Sequence, residues 1–337
     1  MRVLVTGGTG SVGLSLVETL MSQGVETVVY ALSLPEESVQ RELEAHGRVM
    51  FEEGDVRDGD TLDRVLQRHR VDAVAHAAAI TPAEHSELEL GAATLSVNTG
   101  GPLTVLSAAR RAGIERFVHV SSIAAYGASA TTADCLEEER TPDDPESLYE
   151  LSKFTAERAV LRAAQAIGDM TVASARIGDV FGRWEHPTAM RTVMSAPYQV
   201  LRLALEGEKE ARLPHPGRKQ WVYSSDVAEA LRLLLTEPVL EHRVYNISSP
   251  FFWGIDDWSA LVAGAFPGFR YRVLDGSKQS ADARPQDEQD ANVTLFRDNT
   301  QMSLVRMAGL GYTPKFDLEL AFQDYLEWIQ THRGTNL

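Results

Sequence analysis

The sequence predicts an α/β protein: a doubly wound parallel sheet with a smaller C-terminal α/β lobe. Two observations support this fold class. Short β-rich runs alternate with amphipathic helical patterns through the first half of the chain, which is typical of βαβ units. The runs are also almost continuously apolar, as in Arg2-Val3-Leu4-Val5, which is expected of strands covered by helices on both faces. The predicted strands are 3–5, 25–31, 49–52, 73–76 and 117–120.

The second half of the chain is less regular. After about residue 175, repeated prolines break the sequence into shorter elements, which favours specificity loops over a continuous sheet. We therefore predict a first lobe over residues 1–175 and a second lobe over residues 176–337. Residues 220–247 contain a turn that leads into a helix, and we expect this segment to return to the first lobe.

The amino-acid composition limits the classes of molecule that the protein is expected to bind. The 337 residues include 48 acidic and 32 basic side chains, a net charge of −16, and no basic block interrupts this balance. Such a surface disfavours nucleic acid and anionic membranes, so small molecules and other subunits are the expected partners. The nine histidines show no metal-ligand spacing, and no metal site is expected.

The cellular compartment of the protein is predicted from its cysteine content and from the absence of targeting patterns. Cys135 is the one cysteine, so no disulfide can form within the chain, which favours a reducing, cytoplasmic setting. The chain enters its first strand at once, so we expect no signal peptide. No apolar run approaches the roughly 18 residues that a membrane span needs.

A glycine-rich turn follows the first strand and opens a helix. The segment is Gly7-Gly8-Thr9-Gly10-Ser11-Val12-Gly13. Glycines allow a tight turn and a close backbone approach to a pyrophosphate, while the helix N-terminus supplies N–H donors and a positive dipole end. We therefore predict that residues 1–175 form a Rossmann-type NAD(P)-binding lobe. The predicted contacts here are Gly7, Gly10, Ser11, Val12 and Gly13.

The second strand does not distinguish NAD from NADP by the usual residue. An acidic residue there would hold the ribose 2′-hydroxyl, but the strand ends Val29-Tyr30-Ala31-Leu32-Ser33, with neither a carboxylate nor a basic group. Ser33 is predicted to contact the cofactor and could meet a hydroxyl or a phosphate. The sequence is compatible with either NAD or NADP, with a slight preference for NAD.

Two further strand ends carry predicted cofactor contacts. Gly54-Asp55-Val56 follows the third strand and His76-Ala77-Ala78 follows the fourth, and ligands of open α/β sheets bind at such ends. The predicted contacts are Asp55, Val56, Ala77 and Ala78. Asn98 opens the next helix and on its own would be interpreted as an N-cap.

The chemistry is predicted from a tyrosine and a lysine one helical turn apart. In Tyr149-Glu150-Leu151-Ser152-Lys153 the phenol and the ammonium share a helix face, so the cation can stabilise a phenolate that acts as general base. The fifth strand ends in Ser121-Ser122 upstream. A serine there can enter the same crevice and hydrogen-bond a reacting oxygen, and because neighbours point oppositely only one of the two does so.

These motifs together resemble the extended short-chain dehydrogenases, the NAD-dependent epimerase/dehydratase family. The similarity runs almost end to end, through Phe117–Gly127, Pro145–Tyr149, Ala175–Gly182, Gln220–Ala228 and Leu310–Pro314. It implies that Ser122 orients the substrate oxygen, that Tyr149 exchanges its proton and that Lys153 assists Tyr149 and holds the cofactor ribose. It also implies that Asp55 contacts adenine and that Asn98 lies near the cofactor. The implied reaction is dehydrogenation or epimerisation at a secondary hydroxyl of a sugar or sugar derivative.

The resemblance further implies a homodimer. Family members pair through the helix after Asn98 and the helix that carries Tyr149. Apolar residues expected on that surface are Leu103, Leu106, Ala109, Phe154, Val160 and Leu161.

Several positions depart from the family pattern. The Asp-Glu pair of the sugar-nucleotide dehydratases is replaced by Ile123 and Ala124, so a 4,6-dehydratase is not expected. Asp179 and Lys219 also replace residues typical of nucleotide-sugar enzymes, which makes a free sugar, sugar acid or lactone an alternative substrate. The residues predicted to contact substrate are Ser122, Arg183, Trp184, Arg218 and Arg284.

A hypothesis from another class is a dinucleotide-sensing protein without catalytic activity. Such sensors typically lose the Tyr/Lys pair, and this chain keeps Tyr149 and Lys153. The enzyme hypothesis is therefore preferred.

Overall fold

A seven-stranded parallel sheet forms the centre of the protein. The computed structural model describes residues 1–82, 86–168, 170–274 and 290–332. The strands are β1 (Arg2–Thr6), β2 (Glu26–Ala31), β3 (Val49–Glu53), β4 (Ala73–His76), β5 (Arg116–Ser122), β6 (Thr171–Ile177), β7 (Asp179–Phe181), β8 (Glu210–Leu213), β9 (Trp221–Tyr223), β10 (Val244–Ile247) and β11 (Arg270–Val273). The large sheet has the order β10-β6-β5-β4-β1-β2-β3.

The helices alternate with these strands. They are α1 (Ser11–Ser22), α2 (Glu37–His46), α3 (Gly59–His69), α4 (Glu87–Leu95), α5 (Gly101–Arg111), α6 (Ser129–Thr132), α7 (Leu148–Ile167), α8 (Ala196–Leu205), α9 (Ser224–Thr236), α10 (Ile255–Ala265), α11 (Val305–Gly309) and α12 (Leu318–Thr331). A π-helical turn, Ser96–Gly100, leads into α5, and a 3₁₀ turn, Ile123–Tyr126, follows β5. Within the described residues, no helix has both the length and the apolar character needed to cross a bilayer.

The sheet is doubly wound, as predicted. From β1 the chain first builds β2 and β3 on one side and then β4, β5 and β6 on the other, so the strand order reverses between β1 and β4. Thr6 is in register with His76 at this point. Ligands of open α/β sheets bind where the order reverses, at the carboxyl ends of the strands. The fold therefore places a binding cleft beyond Thr6 and His76.

Both faces of the sheet are buried. Side chains alternate along a strand, and on β1 Val3 and Val5 enter the core beneath α1, whereas Leu4 enters the core formed with α3 and α5. All three are 0 % exposed. Burial on both faces explains why the strand sequences are almost continuously apolar.

Late segments of the chain complete the first lobe. Helix α9 packs against α1 and over β4 and β5, and β10 pairs in parallel with β6, with Val244 opposite Ser174. Residues 224–247 therefore contribute a covering helix and an edge strand to the large sheet. β9 lies elsewhere and pairs with β7.

The second lobe has two small parallel sheets, β8 with β11 and β7 with β9. An aromatic cluster fills the space around them. The ring centroid of Phe181 lies 5.3–6.2 Å from those of Trp221, Tyr223, Trp253 and Trp258, all edge-on. Edge-on contacts are common in aromatic cores. Here they fix the position of β7, which follows β6 in the chain.

Three residues predicted on a dimer surface lie inside the protein. Leu106, Ala109 and Val160 are at most 1 % exposed and pack in the core between the helices and the sheet. Their helices were identified correctly, but these residues occupy the helix faces turned towards the sheet. The exposed leucines of this region are Leu88, Leu90, Leu95 and Leu151, at 95 %, 37 %, 41 % and 38 %.

Candidate active site

A cleft of about 1320 Å³ lies at the carboxyl ends of the strands. Its walls are the glycine turn, the ends of β2 to β5, the start of α7, the segment around β7 and a loop before α8. Pockets for drug-sized ligands measure roughly 300–1,000 Å³. This cleft is larger and has room for an extended ligand such as a dinucleotide together with a second molecule.

At the glycine turn, the backbone between β1 and α1 lies in close contact with the segment that follows β4. Gly7 has a φ of +65°, and a Cβ there would lie 2.6 Å from Ala78 Cα. A Cβ on Gly13 would overlap the backbone of Gly7 and Gly8. A Cβ on Gly10, by contrast, would have only Gly7 O near it, at 3.4 Å. Packing within the protein therefore requires glycine at 7 and 13, and open space remains at Gly10.

The N-terminus of α1 is available to an anion. Gly10 is the N-cap, so no side chain caps the helix, and the first turn contains no acidic residue. Unpaired N–H groups and the positive end of the helix dipole favour a phosphate there. Ser11 and Val12, which begin the helix, line the cleft. These features fit the pyrophosphate of NAD, with Gly7, Gly10, Ser11, Val12 and Gly13 around it.

We expect Gly10→Ala and Gly13→Ala to fail in different ways. Gly10→Ala should fold normally but bind NAD at least about tenfold more weakly, because its methyl group occupies the approach to the pyrophosphate. Gly13→Ala should lower the melting temperature of the protein without ligand, because its methyl group overlaps backbone. Calorimetric titration with NAD and thermal unfolding measure the two effects. Unchanged NAD affinity in Gly10→Ala would contradict a pyrophosphate at this position.

The end of β2 forms one extremity of the cleft. Ala31 to Glu36 line it, and Ser33 is exposed there. These six residues are Ala-Leu-Ser-Leu-Pro-Glu, which offer no cation to a 2′-phosphate. The segment therefore suits the ribose hydroxyls of NAD better than the phosphate of NADP.

The segment after β3 is also part of the wall. Asp55 and Val56 line the cleft, and the hydroxyl of Tyr30 donates to Asp55 O over 2.9 Å. The Arg57 side chain bonds the Asp55 carboxylate, with Nε 3.0 Å from each oxygen, and these bonds lower the pKa of Asp55. Burial raises the pKa of Tyr30 to about 12, so Tyr30 keeps its proton and its donor role.

Tyr149, Lys153 and Ser122 all line the cleft. Helix α7 is fixed at its start by a capping box between Ser147 and Glu150. Lys153 Nζ lies 5.8 Å from the centre of the Tyr149 ring and donates to Val120 O over 3.2 Å. The backbone N–H of Ala124 donates to Ser122 Oγ over 3.1 Å. The end of β5 and the start of α7 thus contribute a hydroxyl, a phenol and an ammonium to the same cleft.

Two buried histidines lie near Lys153, and sequence analysis gave them no role. The hydroxyl of Thr6 bonds His76 Nδ1 over 2.8 Å, and the His76 ring stacks on His119 at 5.8 Å. Burial, together with the charge of Lys153, lowers the pKa of His76 to about 3, and burial also lowers the pKa of His119. Both imidazoles are therefore uncharged at neutral pH, and the positive charge in this region belongs to Lys153.

Asn98 lies behind the wall of the cleft. It is 2 % exposed, accepts from the backbone N–H of Ile80 over 2.7 Å and donates to Ser152 Oγ over 3.0 Å. It therefore ties the segment after β4 to helix α7. Asn98 was predicted to contact the cofactor, but it is not among the described residues that line the cleft, and its bonds are those of a positioning residue.

Arg183 and Trp184 are not in the cleft, which corrects their assignment to the substrate. The indole of Trp184 is 0 % exposed, and its N–H donates to Glu18 Oε2 over 2.8 Å. Arg183 Nε donates to Asp324 Oδ2 over 2.8 Å. Trp184 has a φ of +64°, so the backbone turns at this residue and directs the side chain into the packing of α1 and α12.

The other two predicted substrate contacts lie elsewhere as well. Arg218 has an exposed side chain that lies 3.6 Å from Asp257, and the cleft wall formed by described residues does not include it. Arg284 lies outside the described residues.

A polar group at the substrate end of the cleft was not predicted as a unit. Lys219 has a 1 % exposed side chain, and its Nζ lies 3.2 Å from Asp179 Oδ1 and 2.9 Å from Arg297 O. Asn299 Nδ2 donates to the other Asp179 oxygen over 2.7 Å. The charge of Asp179 is thus compensated by Lys219 within the protein. Both residues had been noticed only as departures from a pattern, because the partners are 40 residues apart in sequence.

No metal cluster is found in the part of the chain that the structure describes, where no group of three or more His, Cys, Asp or Glu residues is placed to hold an ion.

Comparison with known proteins agrees with the fold and the cofactor. The model of the NAD dependent epimerase/dehydratase family matches residues 3–248. The chain is 27 % identical to dTDP-glucose 4,6-dehydratase of Xanthomonas campestris pv. campestris (strain B100) over 353 residues, covering 98 % of this chain and 93 % of the relative. It is 35 % identical to UDP-glucose 4-epimerase of Azospirillum brasilense over 168 residues, 50 % of this chain and 46 % of the relative.

A solved structure shows the same architecture with cofactor. The UDP-glucose 4-epimerase of Thermus thermophilus, in complex with NAD, superposes with a TM-score of 0.76 at 26 % identity. The alignment covers 98 % of this chain and 99 % of that one.

Proposed function

Since this chain belongs to the NAD-dependent epimerase/dehydratase family, we propose that it oxidises, or oxidises and re-reduces, a secondary hydroxyl of a sugar or sugar derivative through Ser122, Tyr149 and Lys153. The family establishes an NAD-dependent enzyme of the extended short-chain dehydrogenase type. The finer proposal is supported by the presence of all three side chains in the lining of one cleft, which also includes the uncapped glycine turn.

Each side chain has one task in this proposal. NAD, when bound, supplies the acceptor for hydride. The Tyr149 phenolate takes the proton of the substrate hydroxyl and returns it in the reverse direction. Lys153 is fixed by Val120 O, so its charge stays near the phenol and stabilises the phenolate. Ser122 Oγ, oriented by the N–H of Ala124, donates to the reacting oxygen.

The proposal favours dehydrogenation or epimerisation over dehydration. The relative from Xanthomonas is a dehydratase, but Ile123 and Ala124 stand here where the sugar-nucleotide dehydratases carry an acid and a base. Both residues line the cleft and have no group that exchanges a proton. Loss of water from the substrate would therefore lack its catalysts.

The substrate is a sugar nucleotide or a smaller sugar-like molecule. The epimerases and dehydratases that resemble the chain are named for UDP-glucose and dTDP-glucose. One observation favours the alternative of a free sugar, sugar acid or lactone: Asp179 already neutralises the buried Lys219. A lysine paired in this way attracts a diphosphate less strongly than an unpaired one.

The proposal is tested with the purified protein. Mass analysis of molecules released from it identifies any retained NAD, and absorbance at the reduced-nicotinamide band then follows turnover with free sugars, sugar acids and nucleotide sugars. Retained NAD with interconversion of sugars and no net reduction supports an epimerase. Net reduction of added NAD supports a dehydrogenase. If no substrate class is oxidised or epimerised by a protein that binds NAD, the proposed function is wrong.

The proposed assembly is a homodimer formed by α4, α5 and α7. Leu88, Leu95 and Leu151 expose apolar surface on α4 and α7, which pack against each other. We expect Leu88→Glu combined with Leu151→Glu to convert the dimer to a monomer in sedimentation velocity at micromolar concentration, since charges oppose burial there. Val305→Glu, at a residue that is 77 % exposed on α11, is the control and should leave the dimer intact. A monomeric unmodified protein would contradict the proposal.

A further inference from the structure

The loop between β7 and α8 contributes to the cleft beside the glycine turn. His186 to Arg191 and Val193 to Ala196 line the cavity. The loop is attached to the segment after β4, because the backbone N–H of Thr81 donates to Met190 O over 2.8 Å. Thr188 closes a turn within it by accepting from the N–H of Arg191 at its Oγ1 over 3.0 Å. The loop thus has a defined conformation beside the cofactor site.

Arg191 reaches the first residue of α1. Its Nη1 donates to Ser11 Oγ over 3.2 Å, and Ser11 begins the helix whose N-terminus has no side-chain cap. The side chain is 28 % exposed and borders the same cavity as the glycine turn. A guanidinium is therefore placed where the helix dipole already favours an anion.

Glu185 holds the guanidinium in place. Arg191 Nη2 donates to Glu185 Oε1 over 2.8 Å, and the Glu185 side chain is 2 % exposed. Glu185 is fixed in turn by Ser195, whose backbone N–H and hydroxyl donate to the two carboxylate oxygens over 2.6 and 2.7 Å. Ser195 is the N-cap of α8. The arginine is thus connected through a buried carboxylate to a helix start.

The guanidinium retains donors for a ligand. It carries five N–H groups. Three are engaged within the described residues, by Val193 O, Ser11 Oγ and Glu185 Oε1. One N–H on each terminal nitrogen remains, which is the arrangement that binds two oxygens of a phosphate group.

We propose that Arg191 is a pyrophosphate-binding residue for NAD, brought to the start of α1 by the loop before α8 and held there by Glu185. The glycine turn then binds the pyrophosphate through backbone N–H groups, while the two remaining N–H donors of Arg191 bind its oxygens. This inference depends on NAD binding in the cleft, as the proposed function requires, and not on the identity of the substrate.

Titration calorimetry of Arg191→Gln with NAD and with ADP-ribose tests the proposal. Both ligands contain the pyrophosphate, and ADP-ribose lacks nicotinamide. We expect both affinities to fall by a similar factor, about 10- to 100-fold, the usual effect of removing a charge-assisted hydrogen bond. Equal affinities for variant and unmodified protein would overturn the proposal, as would a loss confined to NAD, which would place Arg191 at the nicotinamide end.

Two further variants separate binding from stability. Arg191→Gln leaves the buried carboxylate of Glu185 without its cation. The double variant Arg191→Gln with Glu185→Gln removes that buried charge, and it should lose as much ADP-ribose affinity as Arg191→Gln alone. Glu185→Gln alone keeps the guanidinium, and it should lose less ADP-ribose affinity than Arg191→Gln or the double variant. Recovery of full affinity in the double variant would mean that Arg191 acts only on folding, and the proposal would fail.

The control is an arginine of similar exposure outside the cleft. Arg232 has a 21 % exposed side chain and pairs with Glu229 on α9. Arg232→Gln should bind NAD as the unmodified protein does. If the unmodified protein binds neither ligand, the proposed function fails. If it binds NAD and turns over substrate while Arg191→Gln is unaffected, only the role of Arg191 fails.

Discussion

Tyr149→Phe is expected to lower turnover by about 10²- to 10⁴-fold and to leave NAD affinity nearly unchanged. The substitution removes the phenolic oxygen that exchanges the substrate proton in the proposed mechanism. It keeps the aromatic ring and the neighbouring Lys153, whose ammonium stays bonded to Val120 O. Steady-state rates at saturating substrate and calorimetric titration with NAD measure the two quantities separately.

Tyr198→Phe is the matched control. Tyr198 lies on α8, and its hydroxyl accepts from Arg202 Nη1 over 2.8 Å, at a site that the described cleft wall does not include. It should retain full turnover. A Tyr149→Phe protein with unimpaired turnover would exclude the Ser-Tyr-Lys mechanism. If Tyr149→Phe changed no measurable property while NAD still bound, the hypothesis of a dinucleotide sensor without catalytic activity would replace it.

Arg176→Met is expected to lower the free energy of unfolding by about 3–5 kcal/mol. The Arg176 side chain is 1 % exposed and bonds Glu157, which is 0 % exposed, with Nη2 and Oε1 2.6 Å apart. The same nitrogen lies 2.9 Å from Asp143, and the guanidinium lies 4.2 Å from the ring centre of Tyr126. Without it, Glu157 would stay buried with only the Ser174 hydroxyl as a side-chain partner among the described residues, and Asp143 would keep only the exposed Arg158. Urea and thermal unfolding measure the loss.

The control for Arg176 shares one of its partners. Arg158 also pairs with Asp143, at 2.6 Å, but its side chain is 61 % exposed. Arg158→Met should therefore cost no more than about 1 kcal/mol. Adding Glu157→Leu to Arg176→Met should recover part of the stability, because the unpaired carboxylate is then removed. A loss in Arg176→Met as small as that in Arg158→Met would show that burial does not govern this ion pair.

Sequence patterns predicted those parts of the site that depend on local spacing. The five strands of the first half lie where the short apolar runs predict them, and Tyr149 and Lys153 lie one turn apart on a helix, as their spacing predicts. Ser122 could be chosen over Ser121 only through the family resemblance. In the structure Ser121 is 1 % exposed and Ser122 is partly exposed.

Side-chain direction in irregular segments could not be predicted in the same way. Trp184 follows the turn next to the site, but its positive φ sends the indole into the core. Asn98 has the features of a helix cap, whereas its partners are Ile80 and Ser152, and Ser152 is 54 residues away. Arg191 lies in a loop without periodicity, so nothing in the sequence connects it with Ser11. Contacts of this kind depend on the folded backbone.

The late position of α9 and β10 in the chain has a consequence for biosynthesis. The glycine turn is synthesised long before these elements, but α9 covers one face of α1 and β10 pairs with the edge of β6. Until residue 247 has emerged, the nascent sheet exposes an open edge and an apolar helix face, both of which favour aggregation. A protein fragment that ends near residue 175 would expose the same edge and the same helix face. We therefore expect a newly synthesised chain to bind NAD only after residue 247 has emerged.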